Sequence, residues 1–387
     1  MNDMNPSVNA AVDTKIKLPP WRKIAYAVTD GANNLSYTFV ASFFLFFATN
    51  IYGISAAVVA TLILIGRLWD AVADPFIGGL ADRTRTKWGS YRPWILFGSI
   101  PLCVLNFLAF SSIPIESQTG KTVFMCVVFI VLVTCYSCVN IPYSAATAVL
   151  TTDTDERASI TSYRLMAAVL VGSLILGQAT LPLVSHFGGG SPMSAVGWRT
   201  TALIYSACAL VLYIISFFGI KEVVKPHAEK QSFRMMFKAM TGNGPAWILG
   251  FGFLVMGLFI NGRQAVLMYY FTYNAGDPNL FTKFMLFYAA ANILGVFLVP
   301  LLGTRMKNKA TLPKWGFIFS GILMVILFFV NPLNSWGLFI VLNMLLSGVS
   351  IGAMTMMYGM MPDCTEYGEH KTGIRAAGFI SAFMTFL

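Results

Sequence analysis

GRLWDAVADPFIGGLADRTRTKWGSYRP, residues Gly66 to Pro93, decides the class of this chain. It starts inside the apolar run Val58 to Ile65, which with its continuation reaches the roughly 20 residues a helix needs to cross a bilayer. Into that run it places Asp70 and Asp74, and residues four apart share one face of a helix. A charge at the centre of a membrane helix costs about 2.5–3.5 kcal/mol on insertion scales, so a chain that keeps two carboxylates side by side has a use for them. The stretch then closes on Arg83, Arg85, Lys87 and Arg92, the signature of a loop on the cytoplasmic side.

The remaining composition agrees. Of 387 residues, 57% are hydrophobic and 11% charged, where soluble domains carry about 25% charged residues. The chain reads as an all-α, multi-span membrane protein. A net charge of +10 in a soluble protein would suggest nucleic acid, but here the basic residues sit in short loops, and topology accounts for them without a nucleic-acid partner. Six cysteines are scattered; Cys135 and Cys138 form a CxxC inside an apolar span, with no second pair to build a zinc site. No nucleophile, nucleotide or metalloprotease motif appears, and His186, His227 and His370 stand apart from one another. Neither an enzyme nor a cofactor is expected.

Hydropathy places helices near residues 27–50, 56–82, 93–113, 121–150, 160–186, 199–220, 246–272, 282–304, 315–331 and 336–362, with an eleventh beginning near Ala376 and running to Leu387. Twenty of the 26 Lys and Arg residues fall in the N-terminal tail and in alternate loops, which puts the N-terminus in the cytoplasm. The polar loop 221–245 follows the sixth span. The expected organisation is a cytoplasmic tail over 1–24, an N-terminal six-helix bundle over 25–220, a central cytoplasmic loop over 221–245 and a C-terminal bundle over 246–387. Pro75, Gly78, Gly79 and Pro142 interrupt spans, as helices bent around a cavity would allow.

GGLADR with basic residues behind it (Gly78, Asp82, Arg83) resembles the loop signature of the major facilitator superfamily. WDAVADP, DRTRTKWGSYRPW, VNIPYSA, ERASITSYR and DCTEYGEHKTGIR, in this order along nearly the whole chain, resemble the glycoside–pentoside–hexuronide:cation symporters, the group of melibiose permease. The resemblance implies twelve helices in two bundles, a sugar site between them at mid-membrane, and alternating access. Here the twelfth helix is absent and the eleventh cut short, so about 11 transmembrane helices and a truncated C-terminal bundle are expected.

The resemblance also distributes roles. Asp70 and Asp74 would take the coupling cation with Ser137, which stands where the melibiose permease has a threonine. That permease has an asparagine one residue before its second aspartate; here Ala73 stands there, one oxygen ligand is lost, and H⁺ is favoured over Na⁺. The rival reading of the two carboxylates is an ion pair with Arg67 or with an arginine of another helix. Asn33, Asn34, Asn140, Ser144 and Met354 occupy sugar-contact positions with residues unlike those of melibiose permease, so the sugar is expected to be a different one. Arg164 matches an arginine near the sugar and could equally neutralise Asp70 or Asp74.

Asp30, beside the two asparagines in TDGANNLSY, could hydrogen-bond sugar hydroxyls or serve as interhelical glue. Arg263 is a second intramembrane arginine, and two of them would suit an acidic sugar. Asp82, Arg83 and Arg92 are expected to form a cytoplasmic gate with Asp363, Glu366, Glu369 and Arg375. The expected partners are a sugar or sugar acid, a coupling cation and the lipid bilayer; the expected state is a monomer in a bacterial inner membrane.

Overall fold

The computed structural model describes residues 18–151, 154–222, 241–277, 279–303, 308, 310–372 and 384. Within a bilayer every backbone N–H and C=O must find its partner inside the segment, and the chain answers with helices. In order they are α1 (Pro20–Asn33), α2 (Phe39–Asn50), α3 (Ala56–Arg83), α4 (Arg92–Ala109), α5 (Gln118–Leu150), α6 (Thr154–Val169), α7 (Gly177–Phe187), α8 (Ala195–Gly219), α9 (Gly244–Tyr269), α10 (Asn279–Gly303), α11 (Thr311–Phe328) and α12 (Trp336–Thr372). Wider π-helical turns join α1 to α2 (Asn34–Thr38) and α6 to α7 (Leu170–Leu176) and follow α9 (Tyr270–Asn274). Such turns displace the residues after them around the helix and are frequent at functional sites.

Eight of the described helical segments are long and apolar enough to cross a membrane, and Leu280–Val296 is a shorter apolar core within α10. The segment α1–α2 carries Asp30, Asn33 and Asn34 and is correspondingly more polar. The eleventh helix expected from Ala376 falls, but for Met384, outside the described residues, as does most of the expected central loop.

Helix starts are fixed by local chemistry. Pro20 opens α1, where a missing N–H costs nothing. Ser117 and Ser194 accept from the backbone N–H of Gly120 and Gly197 at the heads of α5 and α8. Asn243 caps α9 by accepting from Ala246 N at 3.1 Å, and its amide donates to the Cys364 carbonyl at 2.7 Å, which ties α9 to α12.

In the first half, α4 packs against α5 and α8, α1 packs against α8 and α6, and α2 joins them through an aromatic core of Phe39, Phe43, Phe47, Phe110 and Trp198. In the second, α12 lies against α9, α10 and α11. There α10 meets α12 so closely that a Cβ on Gly295 would stand 2.4 Å from the Gly348 carbonyl oxygen, the small-residue contact through which membrane helices gain packing.

The halves touch where α2 meets α9 and where α7 and the turn before it meet α10. Gln264 Nε2 donates to Ser42 Oγ at 2.7 Å, Tyr273 donates to Asn50 Oδ1 at 2.9 Å, Tyr269 donates to the Leu45 carbonyl and bonds Thr49, and Gln178 donates to the Thr282 carbonyl at 2.7 Å. These contacts lie towards the end of the molecule where α2 stops and α3 begins.

At the other end, Glu222 crowns the head of α4. Its carboxylate accepts from the backbone N–H groups of Ser90 (2.7 Å), Tyr91 (2.8 Å) and Arg92 (3.1 Å), the arrangement a helix N-terminus favours for an anion. Gly89, at φ +111°, is required there: its left-handed backbone suits glycine, and a Cβ would sit 2.5 Å from the Glu222 carboxylate. Glu222→Ala is expected to cost about 1–3 kcal/mol, since three donors lose their acceptor. The check is thermal unfolding in detergent, with Glu222→Gln falling between the variant and the parent.

Candidate functional site

On α3 the exposed residues Leu64, Leu68, Val72, Phe76 and Leu80 recur every four positions and make a lipid-facing stripe. At about 100° per residue, Asp70 and Asp74 point roughly 160° away from it, towards α5, the helix α3 packs on. Asp70 Oδ1 and Asp74 Oδ1 are both buried with no hydrogen-bond partner. The buried Ser137 of α5 is the side chain that meets Asp74. No lysine or arginine among the described residues forms an ion pair with either carboxylate. Arg67 is near enough to Asp70 for its charge to be felt, yet it is exposed and lies 5.7 Å from the centre of the Tyr37 ring. Tyr37 in turn stacks on Tyr136 with centroids 4.0 Å apart. Pro75 follows Asp74 directly, so the Ala71 carbonyl lacks the N–H that would close its helical turn.

Arg164, the rival partner for those aspartates, is engaged elsewhere. Its Nε donates to Asp30 Oδ2 at 2.7 Å and its Nη2 to Asp30 Oδ1 at 3.4 Å, joining α6 to α1. Tyr143 of α5 donates to the same Oδ2 at 2.7 Å, and its ring lies 4.5 Å from the guanidinium carbon. Tyr26, one turn before Asp30, bonds the Tyr143 carbonyl and, at 2.7 Å, the Thr147 hydroxyl. Asp30 is therefore an ion-pair partner. Neither Tyr143 nor Tyr26 was singled out by the sequence reading, although Tyr26, Asp30 and Asn34 share one face at four-residue spacing, and a buried tyrosine hydroxyl ordinarily seeks a partner.

Asn33 donates to Asn140 Oδ1 at 3.3 Å and accepts from the Tyr213 hydroxyl at 2.7 Å, so these two sugar-contact candidates come together on α1 and α5. Asn34 donates to the Asp30 carbonyl, and a Cβ on Gly172 would stand 2.5 Å from its Oδ1; the first two π-helical turns pack together there. Ser144 is exposed on α5. Met354 is half-buried on α12, one turn past Ser350 and Ile351.

Those two residues line a cavity with Arg263, Gln264, Tyr288, Asn292 and Ser347, in which about 40 Å³ is open to the centres of water-sized molecules. Arg263 donates to Asn343 Oδ1 at 2.6 Å and Ser347 Oγ at 3.1 Å, two neutral acceptors one turn apart on α12.

Arg92 donates through Nε (3.1 Å) and Nη2 (2.6 Å) to the Phe217 carbonyl of its own half. Arg83 is exposed at the end of α3, as are Asp363 and Glu366 near the end of α12, where Glu369 is half-buried. The Asp82 side chain and Arg375 lie outside the described residues.

Residues 25–387 match the family model described as "MFS/sugar transport protein". The chain is 33% identical over 398 residues to the isoprimeverose transporter of Lactiplantibacillus pentosus, covering 100% of this chain and 80% of that protein. It is 34% identical to the putative glycoside/cation symporter YagG of Escherichia coli, covering 94% and 78%. In fold it is similar to the crystal structure of a bacterial homologue of the human lysosomal transporter Spinster, with a TM-score of 0.69 at 16% identity over 95% of this chain and 80% of that one. The chain belongs to the glycoside–pentoside–hexuronide:cation symporter family of the major facilitator superfamily.

Proposed function

We propose that the chain carries a sugar across the bacterial inner membrane by symport with a cation bound at Asp70 and Asp74. It is a transporter and not an enzyme. One observation carries the coupling reading: two neighbouring intramembrane carboxylates, each with a buried oxygen lacking a hydrogen-bond partner, and no arginine or lysine among the described residues paired with them. Two such groups cannot both stay ionised cheaply, so they bind a proton or a metal cation. With Ala73 where an amide ligand would stand, the oxygen donors are few and H⁺ is the favoured ion. The Asn33–Asn140 contact and the Asp30–Arg164 cluster support a sugar site whose first-half residues come from α1, α5 and α6, with Arg263 as the candidate from the second half.

With the N-terminus cytoplasmic, the closed seam between α2 and α9 would lie on the periplasmic side, which supports an inward-facing reading of this state. Cation and sugar are coupled because both favour the same occluded arrangement; the coupling is as large as their differential affinity for it.

Membrane vesicles with an imposed pH gradient test the proposal, scored against a panel of radiolabelled pentosides, glycosides and uronides. Uptake above the equilibrium level, abolished by a protonophore, is expected for at least one sugar. Sugar flux that proceeds only down its own gradient, in both pH and Na⁺ gradients, would leave an uncoupled carrier.

A further inference from the structure

The two intramembrane arginines stand in different electrostatic states. We infer that Arg263 is the anchor for one negative charge on the transported sugar, so that the substrate is a sugar acid held by its carboxylate. The inference rests on the sugar-carrier reading above and narrows its substrate class.

Arg164 already has its anion. Asp30 takes both its Nε and its Nη2, and the Tyr143 hydroxyl completes the cluster, leaving no net charge to offer a ligand. Arg263 has none: among the described residues its hydrogen-bond acceptors are the neutral Asn343 and Ser347, and its nearest rings are those of Phe284 (5.8 Å) and Tyr288 (5.6 Å). A guanidinium carries five N–H donors, and these two bonds hold it in place by two of them. Arg263 is half-buried; a cation partly withdrawn from water without an anion is disfavoured, and glue between α9 and α12 would need only a neutral amide. The counter-charge is expected to arrive with a ligand.

The surroundings fit that ligand. Arg263 lines the cavity together with Gln264, Asn292, Ser347 and Ser350, whose amides and hydroxyls suit carboxylate and hydroxyl groups. The space of about 40 Å³ admits a carboxylate but not a whole sugar ring. The ring would lie towards the seam between the halves, which is closed here and has to part to admit it. Gln264 is itself a seam residue, bonded to Ser42, and Met285, another lining residue, would meet a Cβ placed on Gly177 of the other half at 2.7 Å. A planar fork binding a planar carboxylate adds orientation to attraction, which an ammonium in the same place would not.

The test compares matched pairs that differ only at C6. Methyl β-D-glucoside and methyl β-D-glucuronide, and the galacto and manno equivalents, are titrated calorimetrically into the purified full chain in detergent. A 6-sulfonate analogue is added as a separate arm to distinguish carboxylate from sulfonate. At least one uronide is expected to bind about tenfold or more tighter than its neutral partner, the usual weight of a charge-assisted hydrogen bond. Arg263→Gln should weaken uronide binding far more than neutral-sugar binding and so erase the preference, and Arg263→Lys should keep part of it. Neutral glycosides binding as tightly as their uronides in the unaltered chain would overturn the inference and leave the sugar carrier standing; so would a preference that survives in Arg263→Gln. Tighter binding of the sulfonate than of every uronide would overturn the carboxylate assignment. Should Arg263→Gln fail to fold, the ratio in the unaltered chain and the Arg263→Lys titration decide. No binding of any sugar, neutral or charged, would sink both readings together.

Discussion

Asp70→Asn is expected to abolish uphill sugar accumulation while leaving downhill exchange measurable. In vesicles with an imposed pH gradient the internal-to-external ratio should fall to about 1, and sugar-driven alkalinisation of the medium should disappear. Asp74→Asn should do the same. The reasoning follows from what surrounds the pair. Each carboxylate has a buried oxygen without a hydrogen-bond partner, and among the described residues no arginine or lysine forms an ion pair with either one. A proton or cation taken up there relieves both the desolvation and the mutual repulsion. An asparagine needs no such relief, so the energetic link between ion and sugar is cut, while the packing barely changes. Replacement should also raise the thermal stability of the ion-free protein slightly, because it removes a buried charge that nothing offsets. A purely structural pair would behave oppositely: neutralising it would destabilise the protein and leave coupled uptake intact.

That pair was legible in the sequence because its signal is local. Two acids four apart in an apolar run need no knowledge of the rest of the molecule, and the every-fourth-residue stripe of Leu64, Leu68, Val72, Phe76 and Leu80 sits in the same stretch. The spans were legible for the same reason, since about 20 apolar residues leave few alternatives in lipid. Partnerships were not. Arg164 could be found as a buried cation, but its choice of Asp30 over Asp70 or Asp74 spans 134 residues of sequence and depends on how α6 lies on α1. Arg263 meets Asn343 and Ser347 some 80 residues later, on a helix whose polar positions look individually unremarked. Arg92 is instructive in another way. Its charge invited a gate role, and here it is spent on the Phe217 carbonyl beside the Glu222 cap, contacts that no periodicity announces. Whether it exchanges that carbonyl for an acid of α12 is a property of a second conformation, and one sequence encodes both.

The second large effect concerns the Asp30–Arg164 pair. Asp30→Asn is expected to destabilise the protein by about 3 kcal/mol, the lower end of the range for breaking a buried ion pair, because the two side chains retain 16% and 23% exposure. The loss arises less from the missing attraction than from Arg164, which is left as a desolvated cation over the Tyr143 ring with its main acceptor gone. Arg164→Gln should cost a similar amount for the mirror reason, since among the described residues Asp30 would keep only the Tyr143 hydroxyl as a side-chain donor. The double substitution Asp30→Asn with Arg164→Gln should recover much of the stability, as a neutral hydrogen-bonded pair replaces a charged one. Thermal unfolding of the four proteins in one detergent gives the cycle, and a coupling free energy of 1 kcal/mol or more is expected for groups in direct contact. Strict additivity would mean that the pair is not an energetic unit. Transport separates this cluster from the cation site: the double variant should regain folding but not sugar affinity, whereas Asp70→Asn should keep sugar binding and lose only the drive. A pair that merely held α1 to α6 would give back both at once.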